Sequence, residues 1–214
     1  MFSFSEELTA LYAFMEKDNV LKEVKKKLYG LKAGSMGATV FESIIKSILQ
    51  QQISLRVSFW MTNSLVTRLG ESIEVNGLVY YDFPTPYRLA EASLEEIRQC
   101  GLRWRKAEDI KGIAEKVADG EFDPEELKKL SNKEVMEELK KFRGVGTWTA
   151  ELVLVTGLKR NDVVPADDLG VRRAISKFYS DNRNLSGDEV RKLAEKWGAV
   201  KKYVVFYLIC AGRS

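Results

Sequence analysis

Apolar residues recur through most of the chain at the three- and four-residue spacing of amphipathic helices. Phe41, Ile44, Ile45, Ile48 and Leu49 form one such run, which predicts a helix with one deeply buried face. No stretch alternates convincingly with the period of two that a half-buried strand requires. Residues 71–92 contain Gly77, Pro84 and Pro86, and we expect them to form an irregular connection. The pattern therefore predicts an all-α protein.

Several helix starts carry the spacing of a capping box, in which a Ser or Thr and a Glu three residues later bind each other's backbone N–H groups. The pairs are Thr39 with Glu42, Ser93 with Glu96, Ser131 with Glu134, and Ser186 with Glu189. Further starts are expected at Ser54 and at Asp123-Pro124. The other predicted helices lie around residues 8–15, 22–27, 104–118 and 199–211, and a loop is expected at 30–37.

Composition limits the chemistry that the chain can perform. The chain has 214 residues, of which 45% are hydrophobic, so it can bury a core without disulfides or a structural metal. Histidine is absent, which excludes an imidazole base or ligand. The two cysteines, Cys100 and Cys210, lack the spacing of a zinc site or an iron–sulfur cluster. The net charge of +3 is too small to indicate a polyanionic partner by itself.

The chain also lacks the features of a membrane or secreted protein. No apolar run is long enough to span a bilayer, and acidic Glu6 and Glu7 stand where a signal peptide would need basic residues. We therefore expect no membrane partner and a cytoplasmic location, or a nuclear one in a eukaryote.

A glycine-rich segment between two predicted helices is the first candidate for a binding site. Gly144 and Gly146 can adopt positive φ, so the loop can turn sharply and direct backbone N–H groups outward at the start of the helix opened by Thr147. Such an arrangement binds phosphate. Residues 138–160 carry five basic side chains against two acidic ones, which suits a nucleic-acid backbone. For so short a motif alone, a simple connection between two helices is the alternative.

A pair of adjacent carboxylates is the second candidate. Asp167 and Asp168 directly precede an apolar helical run, and one of them is expected to be the N-cap of that helix. Two adjacent carboxylates repel one another, although solvent exposure is sufficient reason for most such pairs. Arg172, which follows, is either a solvated side chain or a phosphate contact.

Four separated motifs then occur in an informative order. They are Gln-Gln-Ile-Ser at 51–54, Gly-Leu-Arg-Trp-Arg-Lys at 101–106, Phe-Arg-Gly-Val-Gly-Thr-Trp-Thr-Ala at 142–150, and Pro-Ala-Asp-Asp-Leu-Gly-Val at 165–171. In order and spacing they resemble the alkylpurine (3-methyladenine) branch of the helix-hairpin-helix DNA glycosylases, over roughly residues 38–212. The resemblance indicates a compact form without the N-terminal β domain of some larger relatives.

The resemblance implies a particular architecture and partner. One helix-hairpin-helix glycosylase unit would span residues 1–214, with one helical subdomain at 1–38 plus 165–214 and a second at 39–164. These subdomains would flank a cleft that receives the damaged base flipped out of double-stranded DNA, and the hairpin at 142–150 would grip the backbone. The protein would act as a monomer and, in a prokaryote, be nucleoid-associated when bound to DNA.

Individual roles follow from the resemblance, motif by motif. Asp168 matches the catalytic aspartate, with Asp167 as its capping neighbour. Gln52 matches the side chain that fills the gap left in the duplex, with Gln51 and Ile53 beside it. The phosphate-binding hairpin corresponds to Gly144, Val145, Gly146 and Thr147.

The resemblance also bears on cofactors and on strand cleavage. In relatives the hairpin carbonyls hold a monovalent cation, so Na+ or K+ at Phe142 and Val145 is expected, with no other cofactor required. Bifunctional relatives carry a catalytic lysine where this chain has Trp148. A monofunctional enzyme without lyase activity is therefore expected.

The base pocket is the part for which the sequence gives least. An alkylated purine is cationic, so an aromatic surface is expected against it, and Trp148 is the first candidate. Leu152 and Ile209 stand where some relatives have pocket aromatics. Lower candidates, for which core packing is the prediction, are Tyr207, Tyr203, Trp60 and Trp104.

Two alternatives stay open at the level of the sequence. The same scaffold and aspartate could excise uracil, mismatched thymine, hypoxanthine or an oxidised purine. A non-catalytic helix-hairpin-helix module would keep the glycines but would have no use for the aspartate.

Overall fold

The computed structural model describes residues 3–32 and 39–213. Most of the predicted loop at 30–37 lies outside these residues. The α-helices are α1 (Ser3–Met15), α2 (Asn19–Lys27), α3 (Val40–Gln50), α4 (Leu55–Leu69), α5 (Pro86–Glu91), α6 (Leu94–Arg98), α7 (Trp104–Ala118), α8 (Asn132–Leu139), α9 (Thr147–Thr156), α10 (Leu169–Tyr179), α11 (Gly187–Ala194) and α12 (Lys201–Arg213). Two 3-10 helices, Pro124–Lys129 and Glu195–Val200, and strands β1 (Ser72–Val75) and β2 (Leu78–Tyr81) complete the elements. The predicted all-α class is confirmed.

The chain divides into two compact units. The terminal unit combines Met1–Ser35 with Lys159–Ser214, and the central unit is Met36–Leu158. Residues 159–164, which the sequence analysis assigned to the second subdomain, therefore group with the terminal unit. Within the described residues, no helix is both long and apolar enough to cross a bilayer.

The core of the terminal unit is built from α1, α2, α10, α11 and α12. Trp197 and Tyr207 are the largest side chains that are fully buried there. Asp18 caps α2 through the N–H groups of Val20 and Leu21, and its other oxygen accepts a hydrogen bond from the hydroxyl of Tyr179 at 3.0 Å. Burial, followed by the charge of Asp18, raises the pKa of Tyr179. The aspartate thus ties α2 to α10.

The central unit is organised around α3, which packs against α4, α7 and α9. The buried residues of α3 include Ile44, Ile45, Ile48 and Leu49, as the hydrophobic pattern predicts. They also include Ser47, whose hydroxyl donates to the carbonyl of Ser43 at 2.7 Å and so avoids an unsatisfied buried donor. A helix buried on almost every side fixes the position of the turn that follows it.

Residues 71–92 are not the irregular connection that the sequence analysis predicted. β1 and β2 pair antiparallel around Asn76 and Gly77, whose φ angles of 53° and 74° suit a type I′ turn. Every residue of both strands is exposed, so no alternation of buried and exposed positions marks them in the sequence. The Asn-Gly pair is the feature that could have revealed the hairpin. α5 follows, capped by Thr85.

The predicted helix starts are largely confirmed. Both halves of the capping box are present at Ser93, Ser131 and Ser186. Thr39 accepts from the N–H of Glu42 at 3.1 Å, while the carboxylate of Glu42 pairs with Lys46 at 2.5 Å. Asp123-Pro124 begins a 3-10 helix rather than an α-helix.

Candidate functional site

The glycine-rich segment forms a tight turn between α8 and α9. The N–H of Val145 donates to the carbonyl of Phe142 at 3.1 Å, and Gly144 has a φ of 83°, the left-handed region that favours glycine. Val145 is buried, whereas Gly146 is exposed and is the N-cap of α9. Because Gly146 has no side chain that could accept a hydrogen bond, the N–H groups in the first turn of α9, which lack intrahelical partners, receive no side-chain cap from it.

Arg143 does not have the role that its charge suggested. Its Nε donates to Asp109 at 2.6 Å and its guanidinium also donates to Glu108 at 2.6 Å. Hydrogen bonds with Glu108 and then with Asp109 raise the pKa of Arg143. The side chain therefore anchors the hairpin to α7, whereas the sequence analysis counted it among the charges available to phosphate. No sequence motif pointed to Asp109.

The segment at residues 51–54, which we call the glutamine turn, separates its two central side chains. Gln51 directs its Nε2 to the carbonyl of Gly144 at 2.7 Å and to the hydroxyl of Thr149 at 2.9 Å. Gln52 is exposed and has a φ of 57°, and Ile53 is half-buried. Gln51 thus connects the glutamine turn to the hairpin, and Gln52 is the side chain presented to solvent.

The motif at residues 101–106 begins beside an aromatic side chain. Gly101 has a φ of 91°, and a Cβ there would lie 2.2 Å from the ring of Trp60. Trp60 is 59% exposed and Trp104 is 53% exposed, so the prediction that both are core residues is wrong. The guanidinium of Arg98 lies 5.0 Å from the ring centroid of Trp104, a cation–π contact that a surface tryptophan can make.

The first pocket candidates share one face of α9. Trp148 and Leu152 are both half-buried and stand four residues apart, so they are neighbours on the helix surface. The opposite face contains the buried residues Ala150, Val153 and Leu154. Trp148 is therefore presented by the same short helix whose start forms the hairpin.

The lower pocket candidates belong to α12. Tyr207 is 1% exposed, and its hydroxyl donates to the carbonyl of Leu31 at 2.7 Å and contacts the hydroxyl of Tyr12 at 2.9 Å. It is a core residue of the terminal unit, as core packing predicted. Tyr203 and Ile209 are half-buried on the same helix.

The two adjacent aspartates have different partners. Asp168 is the N-cap of α10, with one oxygen accepting from Gly170 at 2.7 Å and from Val171 at 3.0 Å. Asp167 accepts from Arg191 at 2.6 Å and packs so closely on Gly187 that a Cβ there would lie 2.0 Å from its Oδ1. The expectation that Asp167 is the capping neighbour is wrong: Asp168 is itself the cap, and its orientation is set by two backbone donors.

The predicted phosphate contact at Arg172 is engaged within the terminal unit. Its Nε donates to the carbonyl of Leu185, and the side chain is half-buried. Arg173, the next residue, is exposed.

Helices α8 and α9, joined by the tight turn at Gly144, form a helix-hairpin-helix motif. Residues 45–199 match the model of the HhH-GPD superfamily base excision DNA repair protein family. The match covers more than half of the chain, so the chain belongs to the HhH-GPD superfamily.

Curated relatives and solved structures agree with this membership. A DNA-3-methyladenine glycosylase of Bacillus subtilis is 33% identical over 207 residues, which are 97% of this chain and 68% of that protein. DNA-3-methyladenine glycosylase 1 of Schizosaccharomyces pombe is 37% identical over 133 residues, or 62% of this chain and 54% of that protein. A 3-methyladenine DNA glycosylase from Archaeoglobus fulgidus superposes with a TM-score of 0.88 at 44% identity, covering 96% of this chain and 69% of that one. The resemblance inferred from the four motifs is confirmed.

Proposed function

We propose that the protein is a monofunctional DNA glycosylase of the 3-methyladenine type, acting in base excision repair. It would flip an alkylated purine out of double-stranded DNA, hydrolyse its N-glycosidic bond and leave an abasic site. The observation that carries this proposal is Asp168, a carboxylate held at the start of α10 by two backbone N–H groups. Relatives with that name, similar in sequence and in structure, support the substrate class.

In this proposal the central unit supplies the grip on DNA. Gly146 and Thr147 begin α9 with N–H groups aimed away from the helix, which suits a phosphate oxygen, and the helix dipole adds a favourable potential. A solved structure of the Schizosaccharomyces pombe 3-methyladenine DNA glycosylase contains abasic DNA and superposes with a TM-score of 0.80 at 27% identity. Gln52, exposed in the glutamine turn, would fill the space that the flipped nucleotide leaves.

Hydrolysis of the N-glycosidic bond of an alkylated purine requires little from the enzyme beyond a correctly placed anion. Alkylation at N3 or N7 makes the purine cationic, so it departs as a neutral base when the bond from C1′ to nitrogen breaks. The sugar then becomes oxocarbenium-like, and the carboxylate of Asp168 stabilises the positive charge. Water forms the new bond to C1′ and loses its proton to the carboxylate and then to solvent. Trp148 would stack on the departing base.

The absence of lyase activity is part of the proposal. Trp148 occupies the position after the hairpin at which a Schiff-base lysine would be expected, so no covalent imine to C1′ should form. Borohydride added during a reaction on methylated duplex DNA should trap no protein–DNA adduct. A trapped adduct would refute this part of the proposal alone.

A monovalent cation at the carbonyls of Phe142 and Val145 stays a prediction.

The adjacent aspartates give a matched test of the catalytic role. Asp168→Asn keeps an oxygen that can cap α10 but removes the charge. We expect release of 3-methyladenine and 7-methylguanine from methylated duplex DNA to fall by at least 100-fold, while binding to an abasic duplex is retained. Asp167→Asn, one residue away and paired with Arg191, should keep most of the activity.

Other results would change the assignment. If Asp168→Asn excised normally, the mechanism would be wrong. If the wild-type protein released no base from methylated, deaminated or oxidised duplexes yet bound an abasic duplex, a non-catalytic binding module would be the better description. Activity only on a deaminated or oxidised base would keep the mechanism and change the substrate.

A further inference from the structure

A half-buried lysine on α7 contacts the end of α3. The Nζ of Lys106 donates to the carbonyl of Leu49 at 3.1 Å and to the carbonyl of Gln51 at 2.7 Å. Burial, followed by the charge of Arg103, lowers the pKa of Lys106. A cation at this position also complements the negative end of the α3 dipole. The lysine thus satisfies two backbone carbonyls at the end of a helix, where intrahelical partners are lacking.

The peptide that Lys106 holds lies immediately before a strained residue. Gln52 has a φ of 57° without being glycine, a conformation that costs on the order of 1 kcal/mol and persists only where the surroundings impose it. Lys106 fixes the carbonyl of Gln51, and the side chain of Gln51 is fixed in turn by Gly144 and Thr149. The main-chain carbonyl of Gln51 is therefore held by α7, and its side chain is held by the hairpin and by α9.

We infer that Lys106 is a positioning residue: it holds the glutamine turn in the conformation that points Gln52 at the DNA stack. The inference rests on the proposed function, because only a base-flipping enzyme needs a side chain to fill the vacated space. Without the ammonium, the carbonyls of Leu49 and Gln51 would turn toward water, and Gln52 could relax to negative φ. The side chain would then have to be reordered in each flipping event.

The same helix offers a control. Lys111, five residues later on α7, donates to the carbonyls of Ala90 and Ala92 at the end of α5 and pairs with Glu115. It therefore makes the same kind of contact as Lys106, from the same helix, to the end of another helix. The chain after Ala92 leads into α6 and not into the glutamine turn, so Lys111 does not contact the segment that holds Gln52.

The test compares Lys106→Met with Lys111→Met. Single-turnover release of 3-methyladenine from methylated duplex DNA should fall about tenfold or more for Lys106→Met, because a misplacement of about 1 Å in groups that orient a substrate can cost on the order of 100-fold even far from the reacting atoms. Lys111→Met should stay within about twofold of wild type. Thermal unfolding of both variants measures the stability that each lysine contributes, and Lys106→Arg, which retains cationic donors, should recover most of the release.

A double-mutant cycle decides whether Lys106 acts through Gln52. In a Gln52→Ala background, Lys106→Met should reduce release no further, because the side chain that it positions is already missing. Fully additive losses, or equal losses for Lys106→Met and Lys111→Met, would overturn the inference. If wild type released no methylated base, the proposed function would fail. Binding to a duplex with a tetrahydrofuran abasic site would then test the inference: weakening by Lys106→Met but not by Lys111→Met supports it, and equal binding overturns it.

Discussion

The carboxylate of Asp109 packs directly on the α-carbon of Gly144. A Cβ at position 144 would lie 2.5 Å from Oδ2 and 2.7 Å from Cγ of that aspartate. The Asp109 side chain is 4% exposed and accepts a hydrogen bond from Arg143, so it has little room to move. The first hairpin glycine is therefore required for two independent reasons, a left-handed backbone and a close approach. The first reason belongs to the turn itself, and the second to the attachment of the hairpin to α7.

This contact predicts unequal roles for the two hairpin glycines. Gly144→Ala should lower the free energy of unfolding by about 1–3 kcal/mol, because the alanine is strained at a φ of 83° and collides with Asp109. Gly146→Ala has an ordinary φ of −99° and no atom within 4 Å of its added Cβ, so it should change stability by less than about 1 kcal/mol. Denaturant unfolding of both variants checks this. Equal free energies of unfolding for the two variants would mean that the Asp109 side chain moves to accommodate a Cβ at position 144.

Trp148 should contribute to the release of methylated purines by stacking the face of its ring on the base. Trp148→Ala should lower kcat/KM for release of methylated purines by an amount equivalent to about 1–3 kcal/mol, the range found when an aromatic surface under a nucleobase is removed. Trp148→Phe keeps a ring at the same place and should retain most of the activity. Steady-state release assays with the unfolding midpoint of each variant separate stacking from packing. A loss of stability without a loss of kcat/KM would assign the ring to the core.

The capping box of α11 should make the stability of the fold depend on pH in the acidic range. The N–H of Ser186 and then Arg183 bind the carboxylate of Glu189, which lowers its pKa from 4.5 to about 2. A folded-state pKa below the unfolded one contributes stability that is fully present above pH 4.5 and is lost as pH falls toward 2. Glu189→Gln should therefore lower the thermal midpoint at pH 7 and approach the wild-type midpoint in acid. A constant difference across that pH range would contradict the assignment.

The local parts of the fold were predictable because their interactions stay within one helical turn. Ser93, Ser131 and Ser186 each bind a Glu three residues later, so the sequence spacing contains the whole interaction. The β1–β2 hairpin was missed because strands were looked for by an alternation of apolar and polar residues. Its exposed strands carry no burial pattern, and only the local preference of Asn76-Gly77 for positive φ marks the turn.

Surface aromatic residues illustrate the limit of pattern reasoning. A tryptophan is a good core residue on average, and the predicted burial of Trp60 and Trp104 rested on that average. The structure instead exposes both rings, one against Gly101 and the other beneath Arg98. Hydrophobicity alone does not decide which of several apolar side chains fit inside a core of fixed volume.

The sequence by itself determined the helical class, the hairpin glycines, and an aspartate at the start of α10, because these depend on local backbone preference and on motifs of fixed spacing. The tertiary structure alone decided that Arg143 is bound to Asp109, that Gln51 turns inward while Gln52 is exposed, and that Asp167 is bound to Arg191. The bond from Gln51 to Gly144 joins residues 93 positions apart. Such a bond depends on how helices pack, and helix packing is a property of the whole core.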